Sequence, residues 1–231
     1  PFDTVTNGSL SPGQETDLFR FTGTAGQRLV FDSQTAGFPS ATWRIIGPAN
    51  QSVANQNITT DLELNLTADG TYVLAIDGSS TTTVNYGFSL ITPSTTTTAL
   101  SLNSPVSSSL SEMGERDIYT FTGTAGQRLY YDALTSDFTR SFPVRLIDPT
   151  GDIGLLNQQH YADSNTPFTL TETGTYQLQL ESTSSFSLDT GAYSFQLLDL
   201  AAATVLPFDT VTNGTLSPGQ DTDLYRFNGT A

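Results

Sequence analysis

The sequence predicts an all-β protein built from tandem antiparallel β-sandwich modules. Apolar and polar residues alternate over short runs such as Leu62–Leu66 and Tyr176–Leu180, which is the period of a strand with one buried face. Turn-forming pairs, among them Asn7-Gly8 and Asp69-Gly70, separate these runs. The whole pattern then recurs along the chain. About eight short strands in roughly 100 residues is typical of a sandwich.

The predicted strands follow one another in the same order in two successive stretches of the chain. In the first stretch they are Asp17–Phe21, Arg28–Asp32, Leu62–Leu66, Tyr72–Ile76 and Tyr86–Leu90. In the second they are Asp117–Phe121, Arg128–Asp132, Phe168–Leu170, Tyr176–Leu180 and Tyr193–Leu197.

A sequence repeat defines the domain organisation. The stretch Pro1–Ala25 returns 206 residues later as Pro207–Ala231 with 21 of 25 positions identical, and a looser copy lies at Ser101–Ala125. Repetition of this kind is typical of arrays of modules. We expect module 1 at residues 1–93 and module 2 at 94–200, with an inter-module joint at 92–98. Residues 201–231 are then a joint plus the first strands of an incomplete third module, of the same type as module 1.

Matching the two modules predicts the core. Positions that stay apolar or aromatic in both copies should be buried, and Trp43 should pack in the core because valine (Val144) takes its place in module 2. The predicted core pairs are Leu10/Leu110, Phe21/Phe121, Leu29/Leu129, Ile46/Ile147, Leu66/Leu170, Tyr72/Tyr176, Leu74/Leu178, Phe88/Phe195 and Leu90/Leu197.

The composition excludes several functional classes. The formal net charge is −15 and lysine is absent, so nucleic acid and anionic membrane surfaces are not expected partners. The chain has no cysteine, which excludes disulfides and thiol chemistry. No apolar run reaches the roughly 18 residues of a membrane span. This polar, cysteine-free composition indicates an extracellular or cell-surface protein.

An acidic pair precedes the second strand in all three copies. Two carboxylates at positions i and i+2 of an extended chain lie on one side of it, and hard oxygen ligands on one edge are the start of a calcium site. The alternative is that the aspartates accept hydrogen bonds from turn amides or pair with an arginine such as Arg28 or Arg128. The calcium candidates are Glu15, Asp17, Glu115, Asp117, Asp221 and Asp223.

No other cofactor is expected, and neither is catalysis. His160 is the single histidine and stands in a stretch of module 2 with no evident counterpart in module 1, so we expect a surface histidine. No nucleophile-elbow motif accompanies it. The segment Asp148–Asp152 is expected to form a tight turn, because its counterpart Gly47–Gln51 has no carboxylate.

The strand motifs resemble those of the bacterial pre-peptidase C-terminal domain. The likeness is carried by Asp17-Leu-Phe-Arg-Phe21 with Gly70-Thr-Tyr72 in module 1, and by Asp117-Ile-Tyr-Thr-Phe121 with Gly174-Thr-Tyr176 in module 2. It implies a jelly-roll-like sandwich, secretion and a non-catalytic accessory role. Related collagen-binding modules use calcium near their N-terminal edge. The chain departs from the family's usual context in joining module to module with no peptidase segment.

These observations favour a non-catalytic structural protein whose repeats build an extracellular fibre, sheath or surface layer. Its expected partner is itself, through identical or repeated modules. Natural proteins often place lysine on edge strands, which discourages pairing with other chains. Because this chain has no lysine, we expect its sheet edges either to be covered by neighbouring segments or to pair between modules. The segment Pro207–Ala231 would then dock into another chain or continue into a further module. The alternative is a set of accessory modules that bind polysaccharide or another surface protein for a large secreted hydrolase or adhesin, with Tyr130 and Tyr161 as candidate contact residues.

Overall fold

In the computed structural model the chain forms two compact units, one ending at Ser94 and the next beginning at Thr95. The secondary structure is almost entirely β, as predicted. Among the described residues no helix has the length and apolar character that a bilayer span requires. The structure describes residues 2–37, 39–135, 138–182, 190–218 and 220–229.

Unit 1 is a sandwich of two four-stranded antiparallel sheets. One sheet has the strand order β1-β8-β3-β6 and the other β2-β7-β4-β5, which is a jelly-roll arrangement. The predicted all-β, jelly-roll-like sandwich is thus confirmed. The strands are β1 (Thr6–Leu10), β2 (Thr16–Gly23), β3 (Arg28–Ser33), β4 (Ala41–Ile46), β5 (Ser52–Asn57), β6 (Leu62–Asn65), β7 (Gly70–Gly78) and β8 (Val84–Ile91).

Unit 2 repeats this arrangement and adds one strand. Its sheets have the orders β10-β17-β12-β15 and β14-β13-β16-β11-β9, and the added strand β9 runs parallel to β11. The strands are β9 (Thr95–Ala99), β10 (Val106–Leu110), β11 (Arg116–Gly123), β12 (Arg128–Ala133), β13 (Pro143–Ile147), β14 (Leu156–Gln159), β15 (Phe168–Thr169), β16 (Gly174–Glu181) and β17 (Gly191–Asp199).

Each unit has its own core between its two sheets. In unit 1, Trp43 of one sheet stacks on Phe31 of the other with ring centroids 4.2 Å apart, and Trp43 Nε1 donates to the carbonyl of Thr60. The prediction that Trp43 belongs to the core is confirmed. All but three of the matched core positions are buried, the exceptions being Phe21, Ile46 and Ile147, which are half-buried.

The prediction that Ile46 and Ile147 form a matched core pair was wrong by one position in each unit. Ile45 and Leu146 are the buried residues at this point of the two sheets, and Ile46 and Ile147 stand next to them at the strand ends. Alternation along each strand explains this, because Ile45 lies on the same face as the buried Trp43 and Leu146 lies on the same face as the buried Val144.

The expected joint also needs correction. Residues 95–98, assigned from the sequence to the joint at 92–98, form most of strand β9 and belong to unit 2. β9 pairs with β11 from Thr95↔Arg116 to Ala99↔Thr120. Leu100 follows β9, donates its amide to the carbonyl of Thr120 at 2.8 Å, and lies in the core of unit 2.

The last part of the chain forms little regular structure. A short 3-10 helix, Leu200–Ala202, precedes β18 (Thr204–Val205), which pairs in parallel with β19 (Tyr225–Arg226). Of the two strands expected here, only the second is present among the described residues. In unit 1 the first of them, β1, pairs with β8. The described residues after 207 include no counterpart of β8, so that first strand has no partner there.

Candidate functional site

The acidic pair of unit 1 accepts hydrogen bonds from its own unit. Glu15 Oε2 accepts from the amide of Ser11 at 2.7 Å, which closes the turn before β2. Asp17 Oδ2 accepts from the hydroxyl of Tyr86 at 2.5 Å. Since β2 and β8 belong to different sheets, the Asp17–Tyr86 bond joins the two layers of the sandwich.

The equivalent pair of unit 2 is more deeply buried. Glu115 Oε2 accepts from the amide of Ser111 at 2.5 Å and from its hydroxyl at 2.8 Å. Asp117, only 4% exposed, accepts from Tyr193 at 2.5 Å and from the hydroxyl of Thr96 on β9. The second unit thus repeats the bonds of the first and adds one from the extra strand.

The pair after residue 207 lies in a different setting. Asp221 Oδ1 accepts from Gln196 Nε2 at 2.9 Å, and Asp223 is exposed. Among the described residues, no group of three or more His, Cys, Asp and Glu side chains is arranged to hold a metal ion.

The alternative to calcium binding was that these carboxylates accept hydrogen bonds from turn amides or pair with an arginine, and it holds in part. Turn amides do bind the glutamates, but the two strand aspartates are bound by tyrosine hydroxyls, which the sequence did not indicate. Arg28 instead pairs with Glu63 on the neighbouring strand, with Nε 2.8 Å from Oε1.

His160 is buried, and the prediction of a surface histidine was wrong. It is 0% exposed and its ring stacks on Phe142 with centroids 3.8 Å apart. Its amide donates to the carbonyl of Phe142, as the amide of buried Ile58 does to Ala41 in unit 1. His160 therefore has a counterpart in unit 1 after all, and its ring fills the core position that an isoleucine side chain fills there.

An aromatic pair lies on the surface of unit 2. Phe138 is 61% exposed and meets Tyr161 edge to face, with ring centroids 5.6 Å apart. Tyr161 is half-buried against His160. Tyr130, the other aromatic residue singled out from the sequence, is half-buried and has a raised pKa, chiefly because of its burial. The turn expected at Asp148–Asp152 is present, with the Asp148 carboxylate accepting from the amides of Thr150 and Asp152.

The most distinctive surface of unit 1 is the edge formed by β2. This strand is last in its sheet, and Leu18 on it is 68% exposed. Beside it opens a cavity of about 430 Å³, which we term the apolar groove. Its apolar lining consists of Phe2, Phe19, Phe21, Leu74, Phe88 and Leu90.

In unit 2 the same edge is covered. β9 pairs along β11, and Leu100, 8% exposed, is buried in the core cluster that includes Tyr119 and Phe121. Tyr119 and Phe121 are both buried there, whereas their unit 1 counterparts, Phe19 and Phe21, are only half-buried. The apolar groove thus marks the position that Leu100 fills in unit 2.

No protein-family model matches the chain, and no curated protein matches it. Among solved structures, the CUB1-EGF-CUB2 domain of human MASP-1/3 is 8% identical, with 83% of this chain and 99% of that chain covered and a TM-score of 0.26. The CUB1-EGF-CUB2 domains of rat MASP-1 are 8% identical, covering 82% and 97% with a TM-score of 0.24. A glycosyl hydrolase family 2 member from Bacteroides cellulosilyticus DSM 14838 is 9% identical, covering 80% and 28% with a TM-score of 0.21. Similarities with identities and TM-scores this low do not assign the chain to a family.

Proposed function

We propose that the protein is a non-catalytic structural protein whose tandem β-sandwich repeats build an extracellular fibre, sheath or surface layer. The resemblance to pre-peptidase C-terminal domains and the extracellular location are part of this proposal. One observation carries it. The parallel pairing of β9 with β11 is repeated by β18 and β19 in the same register, 106 residues further along the chain.

The repeated register supports an array of modules. It shows that the strands of a later copy pair in the same way, in addition to having a similar sequence. Thr98 faces Tyr119 and Ala99 faces Thr120 in unit 2. Thr204 faces Tyr225 and Val205 faces Arg226 in the next copy. A chain that restarts the same strand pairing in a later copy has the organisation of modular structural proteins, in which each unit presents the same surfaces again.

Self-association is the expected mode of action. The sheets of the two units end in edge strands such as β5 and β14, and the outer backbone groups of an edge strand pair readily with another strand. The net charge of −15 keeps the chain soluble until specific contacts form. Calcium held by pairs such as Glu15 and Asp17 is an additional candidate stabiliser of such contacts.

Negative-stain electron microscopy of the native material, with and without a calcium chelator, tests the proposal. Filaments or sheets with a regular repeat are the expected result. Discrete particles that do not associate under either condition would retire the structural function. Loss of the assemblies on chelation alone would assign the acidic pairs a metal-binding role.

A second candidate function is favoured by the aromatic pair Phe138–Tyr161. Exposed aromatic side chains next to each other are a common contact surface for sugar rings or protein partners. The chain would then be an accessory module that attaches a secreted hydrolase or adhesin to a polysaccharide or surface protein. Pull-down on insoluble polysaccharides, comparing the natural chain with Phe138→Ala, tests this function, with Ile153→Ala as a control at an exposed non-aromatic side chain of the same unit.

A further inference from the structure

We propose that unit 2 contains a site that forms an intramolecular ester bond, in which the hydroxyl of Thr222 replaces the amide nitrogen of Gln196 and ammonia leaves. The carboxyl of Asp132 moves the proton between the two groups. The bond ties the stretch after residue 207 covalently to a sheet of unit 2. This activity goes beyond the proposed structural function and does not depend on it.

The carboxamide of Gln196 lies between two carboxylates. Gln196 stands on β17 directly opposite Asp132 on β12 and is 8% exposed. Its Nε2 donates to Asp132 Oδ2 at 2.7 Å and to Asp221 Oδ1 at 2.9 Å. Once the carboxamide carbon has become tetrahedral, this nitrogen is an amine that takes up a proton before it leaves. The leaving atom is therefore already in contact with groups that can supply one.

The side chain of Thr222 reaches the same carboxyl from the stretch after residue 207. The Thr222 amide donates to Asp132 Oδ2 at 3.3 Å, and its side chain interacts with Asp132 and with Tyr130. The hydroxyl and the carboxamide are thus both held at one carboxyl group. Two groups held side by side in this way react far faster than the same groups free in solution.

Asp132 has the properties that a proton-transfer group needs here. It is 0% exposed, and among the described residues nothing donates a hydrogen bond to its Oδ1. A buried carboxyl oxygen without a donor costs free energy and calls for an explanation, of which a chemical role is one. Burial raises the pKa of Asp132, and the negative charge of Asp163 adds to this effect. A carboxyl of raised pKa both takes up and returns a proton readily near neutral pH.

The reaction balances without a further reactant. Thr222 Oγ1 attacks Gln196 Cδ while the hydroxyl proton passes to the Asp132 carboxyl. The tetrahedral carbon then expels Nε2, which takes a proton from that carboxyl and leaves as ammonia. One C–O bond forms and one C–N bond breaks. Because Gln196 and Asp132 are buried, water that would hydrolyse the ester is kept away.

Unit 1 has the carboxyl without the carboxamide. Asp32 is the equivalent of Asp132, and the residue opposite it on β8 is Ser89, whose hydroxyl donates to Asp32 Oδ2 at 3.0 Å. A serine has no side-chain carbonyl that could become an ester. We therefore expect one ammonia, and not two, to leave from each chain.

Intact mass spectrometry of the full chain tests the proposal. The expected mass is lower than the sequence mass by one ammonia. Thr222→Val removes the hydroxyl and keeps the shape, so it should have its full sequence mass, whereas Thr222→Ser should still lose ammonia. Thr215→Val is the matched control at an exposed threonine of the same copy, and it should lose ammonia as the natural chain does.

Digestion with chymotrypsin locates the bond, because cleavage sites such as Phe208 lie between Gln196 and Thr222. The expected product is a pair of peptides, one with each residue, that stay joined and separate in mild alkali as esters do. Asp132→Asn should slow the loss of ammonia from freshly refolded chain by about 100-fold, a usual contribution of a general acid–base group. Circular dichroism of each variant shows that it is folded.

A natural chain at its full sequence mass would overturn the proposal. So would an equal loss of ammonia from Thr222→Val, which would place the reaction elsewhere, for example in ring closure at Asn213-Gly214. Filaments built from a chain that has lost no ammonia would overturn the ester bond and leave the structural function standing.

Discussion

Tyr86 donates its hydroxyl hydrogen to Asp17 across the two sheets of unit 1, and Tyr193 does the same to Asp117 in unit 2. This pairing gives the strand aspartate a structural reason to recur in each copy. It differs between units in one respect, because Asp117 is almost fully buried whereas Asp17 is half-buried. The consequences of losing the tyrosine hydroxyl should differ accordingly.

We expect Tyr193→Phe to destabilise unit 2 by about 1.5–3 kcal/mol, the range for a hydrogen bond to a charged group that water cannot replace. Tyr86→Phe should cost unit 1 about 1 kcal/mol or less, because water can reach Asp17. Hydrogen exchange of the β11 and β2 peptides, measured in each variant, reports the two units separately. Equal losses of protection in both would contradict the role given to burial.

Alkaline pH should unfold the protein through its buried tyrosines. Burial, aided by the neighbouring aspartates, raises the pKa of Tyr86 and of Tyr193 above the ordinary value near 10. A folded-state pKa above the unfolded one gives stability that is present below about pH 10 and is lost as the pH rises beyond it. Urea unfolding followed between pH 8 and pH 12, together with tyrosinate absorbance, measures this. A midpoint that stays constant across that range would contradict it.

Leu100→Ala should destabilise unit 2 strongly. Large-to-small substitutions of buried leucines cost about 2–5 kcal/mol. Leu206→Ala is the matched control at the equivalent position of the next copy, where the side chain remains half-exposed, and it should cost about 1 kcal/mol or less. Chemical unfolding followed by far-ultraviolet circular dichroism compares the two. Similar midpoints for both variants would show that Leu100 contributes little to the core.

Glu181, on β16 of unit 2, pairs with two arginines, one on each of the strands that flank β16. It is nearly buried and accepts from Arg145 Nη1 at 3.1 Å and from Arg116. We expect Glu181→Gln to cost about 1–3 kcal/mol, less than the loss of a fully buried pair, because both arginines reach solvent.

The pair Arg28–Glu63 of unit 1 provides the comparison. Glu63→Gln should cost less than Glu181→Gln, because the Glu63 side chain is 19% exposed and that of Glu181 only 7%. Thermal unfolding of both variants at low and high salt measures the difference. A larger loss for Glu63→Gln would contradict the ranking.

A calcium chelator should leave the thermal unfolding midpoint unchanged. Glu15 already accepts from the Ser11 amide and Asp17 from Tyr86, so both carboxylates have partners within unit 1. Calorimetry in a calcium chelator and in excess calcium checks this expectation. A midpoint that rises with calcium in the natural chain and does not rise in Glu15→Gln would assign the pair to metal binding.

The sequence predicted the sandwich well because strands such as β2 and β11 alternate between a more buried and a more exposed face. β9 was missed since its residues, Thr95–Ala99, are all exposed and show no alternation. A signal was nevertheless present, because a leucine stands directly before both later copies, at Leu100 and Leu206. Aligning the residues upstream of each copy would have shown it.

Two errors in the predicted core have different causes. Alternation along β4 and β13 leads from the buried Trp43 and Val144 to Ile45 and Leu146, so matching the two modules selected the wrong member of each neighbouring apolar pair. His160 was predicted to lie at the surface because its stretch of module 2 had no evident counterpart in module 1, yet its amide bonds to Phe142 as that of Ile58 does to Ala41, and its ring stacks on Phe142. The tyrosine partners of Asp17 and Asp117 lie 69 and 76 residues away in sequence, so spacing could not identify them.

The position of β9 has a consequence for how such a gene evolves. The repeat judged by sequence restarts at Ser101 and Pro207, whereas the strand that pairs with each of these copies begins earlier, at Thr95 and at Thr204. Recombination at the sequence boundary would therefore join the body of one module to the leading strand of another. Since the leucine is common to both leading strands, shuffled modules would still receive a compatible edge, and arrays of this kind can lengthen or shorten without losing their fold.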